Sequence, residues 1–325
     1  TIGSQTGLSL TSGSYNIFLG CAAGSGAAAI TGSSNIAMGK CAGKNITSGA
    51  HNIALGCQAL GTATVTGSYN AVFGKDAGVA LTGGSDNFIA GCRAACQATT
   101  PFNSIIIGKG AASGAVLTGN QNILLGTSAA KMLTGAYNVM FGLNAGCQLG
   151  NASANTFLGS YAAQGNTGAM CYSVAIGNKV DLPIESGNTQ LAIGCNNTYW
   201  INGDSSFNVG IGITNPTAKL QVNGTVKATD VDTTSDIRLK TNIKPIDDPL
   251  AKVIKIEGVS FNWKEDNRPA LGVIADQVEK IIPELVRGDD PKSVNYNGLI
   301  GLLIEAVKEQ QTEIEALKDR ISKLE

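Results

Sequence analysis

In the first two hundred residues, the cysteines outnumber the carboxylates and the histidine together. Cys92 and Cys96 are separated by three residues, but no second pair and no nearby histidine completes a tetrahedral metal site. We therefore expect no metal, and we expect free buried thiols or, in an extracellular protein, disulfides whose pairing stays open. The eight cysteines all precede residue 200, at Cys21, Cys41, Cys57, Cys92, Cys96, Cys147, Cys171 and Cys195.

Carboxylates and histidine are equally sparse in the first two hundred residues. The acidic residues there are Asp76, Asp86, Asp181 and Glu185, whereas glycoside hydrolysis requires paired carboxylates. We therefore expect no glycan hydrolysis in this part of the chain. The single histidine, His51, occupies a position that similar segments fill with tyrosine or serine, and we interpret it as a turn residue.

Two further patterns argue against a cofactor and against nucleic acid. The Val209-Gly-Ile-Gly212 segment has part of a dinucleotide-binding fingerprint, but the third glycine is missing and no helix pattern follows. The formal net charge is −1, and no Lys/Arg cluster occurs. We expect no cofactor and no nucleic-acid partner.

A serine with a lysine is a further combination whose types suit nucleophilic chemistry, and Ser235 with Lys240 is one such pair in this chain. A serine hydroxyl is a weak nucleophile until a base removes its proton, and lysine is such a base only when neutral. A Ser-x-x-x-x-Lys spacing arises by chance, however, and surface lysines normally stay charged. The spacing by itself assigns no role to either residue.

The composition divides the chain into physically different parts. Of its 325 residues, 14% are charged, 5% are aromatic and 42 are glycine, which is unlike an ordinary globular enzyme. Sixteen charged residues precede Ser235 and 31 occur in the much shorter remainder. We predict a β-repeat region over 1–199, a β connector over 200–234 with two strands around Pro216, and a separate domain over 235–325.

The first two hundred residues repeat an Asn-apolar-x-apolar-Gly unit, for example Asn52-Ile-Ala-Leu-Gly56. The closing glycines recur eleven times between Gly20 and Gly194, sixteen to nineteen residues apart. Between them lies a second short cue, such as Ile30-Thr-Gly32. A unit this small cannot bury its apolar face alone, so the repeats must stack or interleave with other chains.

This repeat predicts a mainly β fold, an elongated β-roll or β-prism of about 17-residue repeats, and the resemblances given below imply that it is trimeric. A single-chain β-solenoid is the alternative. Recurrent glycines supply tight corners, and the asparagines either adopt left-handed turns or form an internal ladder. Tyr15, Tyr69 and Tyr137 stand beside repeat asparagines, where packing between repeats is favoured over an exposed glycan-binding row. In these strands the region resembles head repeats of trimeric autotransporter adhesins and repeats of phage tail fibres.

The segment Thr234-Ser-Asp-Ile-Arg-Leu-Lys-Thr-Asn-Ile243 resembles the opening motif of the endosialidase-type intramolecular chaperones. Later blocks agree with that family in order and spacing, although Asp276-Gln277 stands where its members usually have Gln-Glu. The resemblance covers about the last ninety residues. Those blocks are Gly258-Val-Ser-Phe-Asn-Trp-Lys264, Leu271-Gly-Val-Ile-Ala275, Val278-Glu279, Ile282-Pro-Glu-Leu-Val286 and Val294-Asn-Tyr296.

The resemblance implies a small α+β domain that is a single-turnover serine autopeptidase. Members of the family cut before the motif serine, which places the scissile bond between Thr234 and Ser235. Ser235 would then be the nucleophile and Lys240 its base, a role that burial or a neighbouring cation favours. No other enzymatic activity is expected.

Three nearby residues are expected to support this pair. Arg238 would either provide a cation near Lys240 or orient a carboxylate. Asp236 would fix the local geometry, and Asn242 is a further supporting residue. We expect the cut only after assembly, because removing Lys240 from water requires a finished structure.

The end of the chain, 299–325, predicts a coiled coil between copies. Its apolar residues alternate in steps of four and three, with Gln310 as the single polar member of the seam. An amphipathic helix packed on its own domain is the alternative. The apolar members are Leu303, Val307, Ile314, Leu317, Ile321 and Leu324.

Together these patterns indicate a structural and host-attachment fibre or spike protein of a virus, located on the virion and extracellular when mature. Its C-terminal domain would drive trimerisation and folding and then be released. The expected partners are two further copies of the chain, a host-surface receptor such as a glycan, and virion proteins on the N-terminal side. No run of eighteen apolar residues occurs, so we expect no membrane insertion. A trimeric adhesin or single-chain solenoid without cleavage activity is the alternative.

Overall fold

The fold comes from a computed structural model that describes residues 1–264, 266–288 and 290–324. The chain divides into two compact units, Thr1–Ala228 and Thr229–Glu325, which are called unit 1 and unit 2 below. Unit 1 consists of strands and turns, and the described helices lie in unit 2. None of the described helices is both long and apolar enough to cross a membrane.

Unit 1 opens with ten parallel strands of three residues each. Every strand pairs in register with the strands one repeat before and after it, so the repeats stack as turns of a β-solenoid within one chain. The predicted mainly β repeat fold is confirmed. The strands are β1 Ile17–Leu19, β2 Ile36–Met38, β3 Ile53–Leu55, β4 Ala71–Phe73, β5 Phe88–Ala90, β6 Ile105–Ile107, β7 Ile123–Leu125, β8 Val139–Phe141, β9 Thr156–Leu158 and β10 Val174–Ile176.

The core of the solenoid contains a row of alanines, such as Ala23 and Ala59, together with two rows of apolar residues from the repeat motifs. The middle residue of each strand points inward, as Phe18 and Leu124 do, because side chains alternate along a strand. The second row consists of the apolar residue that comes directly before each Thr-Gly pair, for example Ile30 and Leu81. Both rows are almost completely buried, so each repeat completes the core of its neighbours.

The repeat asparagines form the internal ladder that was one of the two expected arrangements. Asn70 Nδ2 donates to Asn52 Oδ1 at 3.0 Å and to the carbonyl oxygen of Gly84 at 2.8 Å. Its own Oδ1 accepts from Asn87 Nδ2 at 2.9 Å and from the Asn87 backbone N–H at 3.3 Å. The amide thereby joins three successive turns inside the protein.

The left-handed backbone falls on the residue before each ladder position. Tyr15, His51 and Tyr137 have φ values of 59°, 57° and 62°. Tyr15 and Tyr137 are exposed, so the expected packing between repeats is wrong for these two side chains, which project away from the core. Tyr69 does stack on His51, with ring centroids 4.9 Å apart, yet it too remains largely exposed.

The closing glycines are required by close approach between turns. Gly91 has φ of +130°, and a Cβ built on it would lie 2.6 Å from the carbonyl oxygen of Gly108. No side chain fits at that distance, and the backbone conformation is itself one that other residues avoid. The same geometry recurs at the equivalent glycines, for example Gly56 and Gly142.

We expect Gly91→Ala to destabilise unit 1 by about 3 kcal/mol, because it combines strain at positive φ with a backbone overlap. Gly83→Ala is the matched control, since its Cβ would meet nothing nearer than 3.8 Å. The melting temperature of unit 1 is measured for each of the two variants. Equal melting temperatures for the two variants would contradict the close approach.

Unit 1 ends in a small mixed extension of the solenoid sheet. Strand β11, Leu191–Cys195, pairs in parallel with β10 and antiparallel with β12, Thr198–Gly203. β13, Val209–Ile211, is antiparallel to β12 and parallel to β14, Leu220–Val222. The two strands read from the sequence around Pro216 are thus present.

Unit 2 is a small α+β domain followed by a long helix. Its core is the buried cluster of Val278, Leu285 and Val286, against which Ile256 and Leu299 pack. Two antiparallel strand pairs complete the domain: Val259–Asn262 (β15) pairs with Pro269–Gly272 (β16), and Val286–Arg287 (β17) pairs with Ser293–Val294 (β18). The elements are α1 Pro249–Lys255, β15 Val259–Asn262, β16 Pro269–Gly272, α2 Ala275–Ile281, β17 Val286–Arg287, β18 Ser293–Val294 and α3 Tyr296–Ser322.

The helix α3 is fixed to this domain at its start. The side chain of Asn295 caps it by accepting from the backbone N–H of Gly298 at 3.3 Å. Leu302 and Ala306 are buried. The backbone N–H of Leu250 in α1 donates to Glu309 Oε2 at 2.9 Å, so the first half of α3 packs on its own domain.

Candidate active site

The predicted catalytic segment folds into a short 3-10 turn, Ile237–Leu239. Asp236 begins this turn, because its Oδ1 accepts a hydrogen bond from the backbone N–H of Arg238 at 2.8 Å. Lys240 ends it, and its backbone N–H donates to the carbonyl oxygen of Ile237. The turn therefore reverses the chain between residues 235 and 240.

This reversal brings Ser235 and Lys240 together. Lys240 Nζ lies 2.6 Å from Ser235 Oγ, within the range in which a base can take a hydroxyl proton. In an extended segment the two Cα atoms would be separated by about 16 Å. The contact therefore depends on the turn and not on the sequence spacing alone. Both side chains are exposed in the single chain.

The side chain of Arg238 binds the carboxylate of Asp236. Its Nε lies 3.1 Å from both carboxylate oxygens of Asp236, and its second nitrogen approaches Oδ2 at 2.6 Å. Of the two roles left open for Arg238, orienting a carboxylate is the one this arrangement favours. The pair holds the pKa of Asp236 below its ordinary value, chiefly through the side-chain hydrogen bonds from Arg238, and raises the pKa of Arg238.

A titration tests this pair. Because the folded-state pKa of Asp236 is depressed, the stability it contributes is fully present above the unfolded value near 4 and is lost as the pH falls through the lower folded value. We expect Arg238→Met to return the pKa of Asp236 toward 3.8, as measured by carboxyl NMR in protein that also carries Ser235→Ala. Arg268→Met is the control, since Arg268 pairs with Asp266. An unshifted Asp236 titration would contradict the pairing.

Residues just before the proposed cut are held by a contact that the sequence did not indicate. Thr233 Oγ1 accepts a hydrogen bond from Asn297 Nδ2 at 3.0 Å. Asn297 lies in the first turn of α3, so the chain entering the Thr234–Ser235 bond is tied to the rest of unit 2. Thr234 itself is exposed.

Asn242 has a conformational place in this segment. Its φ is 53°, in the left-handed region that asparagine tolerates better than most residues. It therefore directs the chain away from the turn. Among the described residues, Asn242 makes no hydrogen bond with Ser235 or Lys240.

The apolar residues of the segment lie in water. Ile237 is 71% exposed, Leu239 is 75% exposed and Ile243 is 64% exposed. Isolated exposed apolar residues are common, but three within seven residues, surrounding a lysine, form a local apolar surface.

The cysteines and acidic residues of unit 1 form no comparable site. All eight cysteines are free thiols in the chain, so the disulfide expectation remains open for an assembled particle. Within residues 1–264, 266–288 and 290–324, no group of three or more potential metal ligands occurs.

Comparison with known proteins agrees with the motif resemblance. Residues 235–287 match the family described as chaperone of endosialidase. Long tail fiber protein Gp37 of Enterobacteria phage K3 is 33% identical over 107 residues, which cover 30% of this chain and 9% of that protein. Gp37 of Escherichia phage AR1 is 38% identical over 92 residues, covering 25% and 8%, and Gp37 of Salmonella phage S16 is 31% identical over 114 residues, covering 31% and 15%.

These matches span a small part of the relatives' length, and the family match begins at the serine of the candidate pair. The relatives are virion components by name, in agreement with the predicted location. From Ser235 to Arg287 this chain therefore matches the chaperone-of-endosialidase family, and over about 30% of its length it is similar to phage long tail fiber proteins.

Proposed function

We propose that this chain is a self-processing part of a phage tail fibre. Unit 2 brings three copies together while the solenoids fold, and the Thr234–Ser235 bond is then cut. The observation that supports this most is the 2.6 Å approach of Lys240 Nζ to Ser235 Oγ, at the residue where the family match starts. Host attachment through a surface receptor, such as a glycan, is the role proposed for the fibre as a whole.

The chemistry follows from the covalent structure of the segment. The Ser235 hydroxyl gives its proton to neutral Lys240 as its oxygen bonds to the carbonyl carbon of Thr234, which closes a five-membered ring. The C–N bond then breaks, the Ser235 nitrogen takes a proton, and an ester remains. Water hydrolyses that ester, which leaves a Thr234 carboxylate and regenerates the serine hydroxyl.

The base step links cleavage to assembly. Removal from water favours the neutral form of a lysine, whereas Lys240 in the single chain is exposed. Ile237, Leu239 and Ile243 provide the apolar surface on which another copy would seat. Assembly would therefore create the base, and the cut would wait for a finished trimer.

The second half of α3 offers the seam for this assembly. Leu317 and Ile321 are both more than half exposed, and each lies on the predicted seam. In heptad terms the β-branched residues occupy a positions and the leucines d positions, a combination that by itself favours two strands. Three copies are proposed because of the family resemblance, and the native mass decides between the two numbers.

Cleavage would give the fibre kinetic stability. Stacked and interleaved β structures form slowly and expose strand edges as they form. A helical terminus can align the chains first and then leave. Once this terminus has left, a fibre that unfolds cannot refold. The lifetime of the folded fibre then depends on its unfolding barrier alone.

Leu317→Lys tests the proposed link between assembly and cleavage. The charge falls on the seam, so we expect the native mass to drop to that of one chain and cleavage to slow by at least about tenfold. Ala316→Lys is the matched control, since this neighbour is exposed and off the seam; it should assemble and cut normally. A monomeric Leu317→Lys protein that cuts at the normal rate would overturn the link.

A further inference from the structure

The outer surface of the solenoid sheet is apolar along its whole length. In each of the strands β1 to β10 the middle residue points inward, so the first and third residues point outward. Nineteen of these twenty outward residues are apolar, Thr156 being the exception. None of them is buried. This set of twenty residues is called the sheet face below.

The sheet face is continuous from turn to turn. The parallel register places Ile105 beside Ile123 and Ile107 beside Leu125, and the other strands repeat this arrangement. Where Ala71 leaves a gap, the rings of Phe73 and Phe88 meet at 5.5 Å. Ten strands at about 4.8 Å spacing make a strip roughly 45 Å long.

Such a surface is unusual in contact with water. Parallel sheets occur almost only with both faces covered, and single-chain proteins seldom expose large contiguous apolar patches. Here Ile17 is 54% exposed, Ile105 is 39% exposed and Phe141 is 56% exposed. The inner surface of the sheet is covered by the solenoid core, whereas the outward residues remain exposed or half-buried.

We infer that the sheet face is the surface through which the solenoids of neighbouring copies of this chain pack. The inference rests on the proposed assembly and adds its second contact, distinct from the helical seam. Twenty outward positions match the roughly 20 to 30 residues that each partner contributes to a stable protein interface. The strip carries no charge and no hydrogen-bonding side chain apart from Thr156, which suits an apolar partner and not a sugar or an anion.

The two edges of the sheet face indicate how copies would be arranged. One edge carries Lys40, Lys75 and Lys109, each directly after a closing glycine, and these lysines are exposed. The other edge carries the residues before the ladder, among them Tyr69 and Asp86. A cyclic arrangement brings unlike edges together, so lysines of one copy meet the aromatic rings and the carboxylate of the next.

Site-specific photo-crosslinking in the full chain tests this inference. The probe p-benzoylphenylalanine is placed at position 123, on the sheet face, or at position 132, where Met132 is exposed in the turn between β7 and β8. Ser235→Ala keeps unit 2 attached in both proteins. After irradiation we expect chains linked in multiples at position 123, with at least about a fivefold lower yield at position 132.

The outcomes separate this inference from the proposed function. A multimeric native mass with equal or no crosslinking at position 123 would overturn the sheet-face interface and leave assembly through α3 intact. A monomeric native mass would overturn both. If copies pack through the sheet face, unit 1 should melt at a higher temperature in the assembled protein than in a single chain. As a second variant, Ile123→Lys should abolish this difference in melting temperature, whereas Met132→Lys should preserve it.

Discussion

Ser235→Ala is expected to leave every chain at the full mass of 33.1 kDa, while the unchanged protein yields two fragments that meet between Thr234 and Ser235. Losing the nucleophile of a serine peptidase lowers its rate by on the order of 10⁶-fold, so no fragment should accumulate within days. Denaturing mass spectrometry reads this directly. Ser260→Ala is the control, since Ser260 is also exposed in unit 2 and should cut normally.

Variants at Lys240 separate the role of a base from that of a hydrogen-bond donor. Lys240→Met and Lys240→Arg are both expected to block the cut, because a guanidinium donates hydrogen bonds but cannot accept a proton at accessible pH. Lys244→Met should have little effect, since Lys244 lies outside the turn. If Lys240→Arg cut at the normal rate, Lys240 would not be the base.

Asn70→Ala is expected to lower the free energy of unfolding by about 3 kcal/mol or more. The substitution removes the hydrogen bonds of the Asn70 side chain and leaves the carbonyl oxygen of Gly84 and the backbone N–H of Asn87 without their partners inside the protein. Each buried unpaired group costs about 1 to 3 kcal/mol. The melting temperature of unit 1 should fall accordingly.

Two matched variants make this result specific to the ladder. Asn70→Ser should cost less, because Ser104 already continues the ladder by accepting from the backbone N–H of Asn122 at 3.2 Å. Asn151→Ala should be nearly neutral, since Asn151 is exposed. Equal losses for Asn70→Ala and Asn151→Ala would show that the ladder contributes little.

The repeat architecture was predictable because its determinants are local. An asparagine, an apolar residue and a closing glycine recur at nearly constant spacing, and each repeat must bury its apolar residues on the next. The choice between an asparagine ladder and a left-handed turn stayed open, because asparagine suits both. In the structure both occur on neighbouring residues, with Tyr69 left-handed and Asn70 in the ladder.

The sheet face could not be read from the sequence. Strands of three residues are too short for a two-residue period to distinguish inner from outer positions, and here both are apolar. The tyrosines beside the ladder were expected to pack between repeats because the sequence does not show which way their side chains point. The positive φ of Tyr15, which accompanies its outward direction, is visible only in the structure.

The candidate site was predictable in residue type and not in geometry. The motif resemblance pointed to Ser235 and Lys240, but only the turn begun by Asp236 brings them to 2.6 Å. The hydrogen bond from Asn297 to Thr233 joins residues 64 positions apart, and no local sequence pattern predicts such a contact. Long-range contacts of this kind need the folded domain.

The intact mass of the freshly purified, denatured protein, taken together with its native mass, tests the central claim most directly. Self-processing after assembly predicts two fragments that meet between Thr234 and Ser235, and a native mass three times that of one copy. A single uncut chain of 33.1 kDa that is monomeric in its native state would contradict both the cleavage and the assembly.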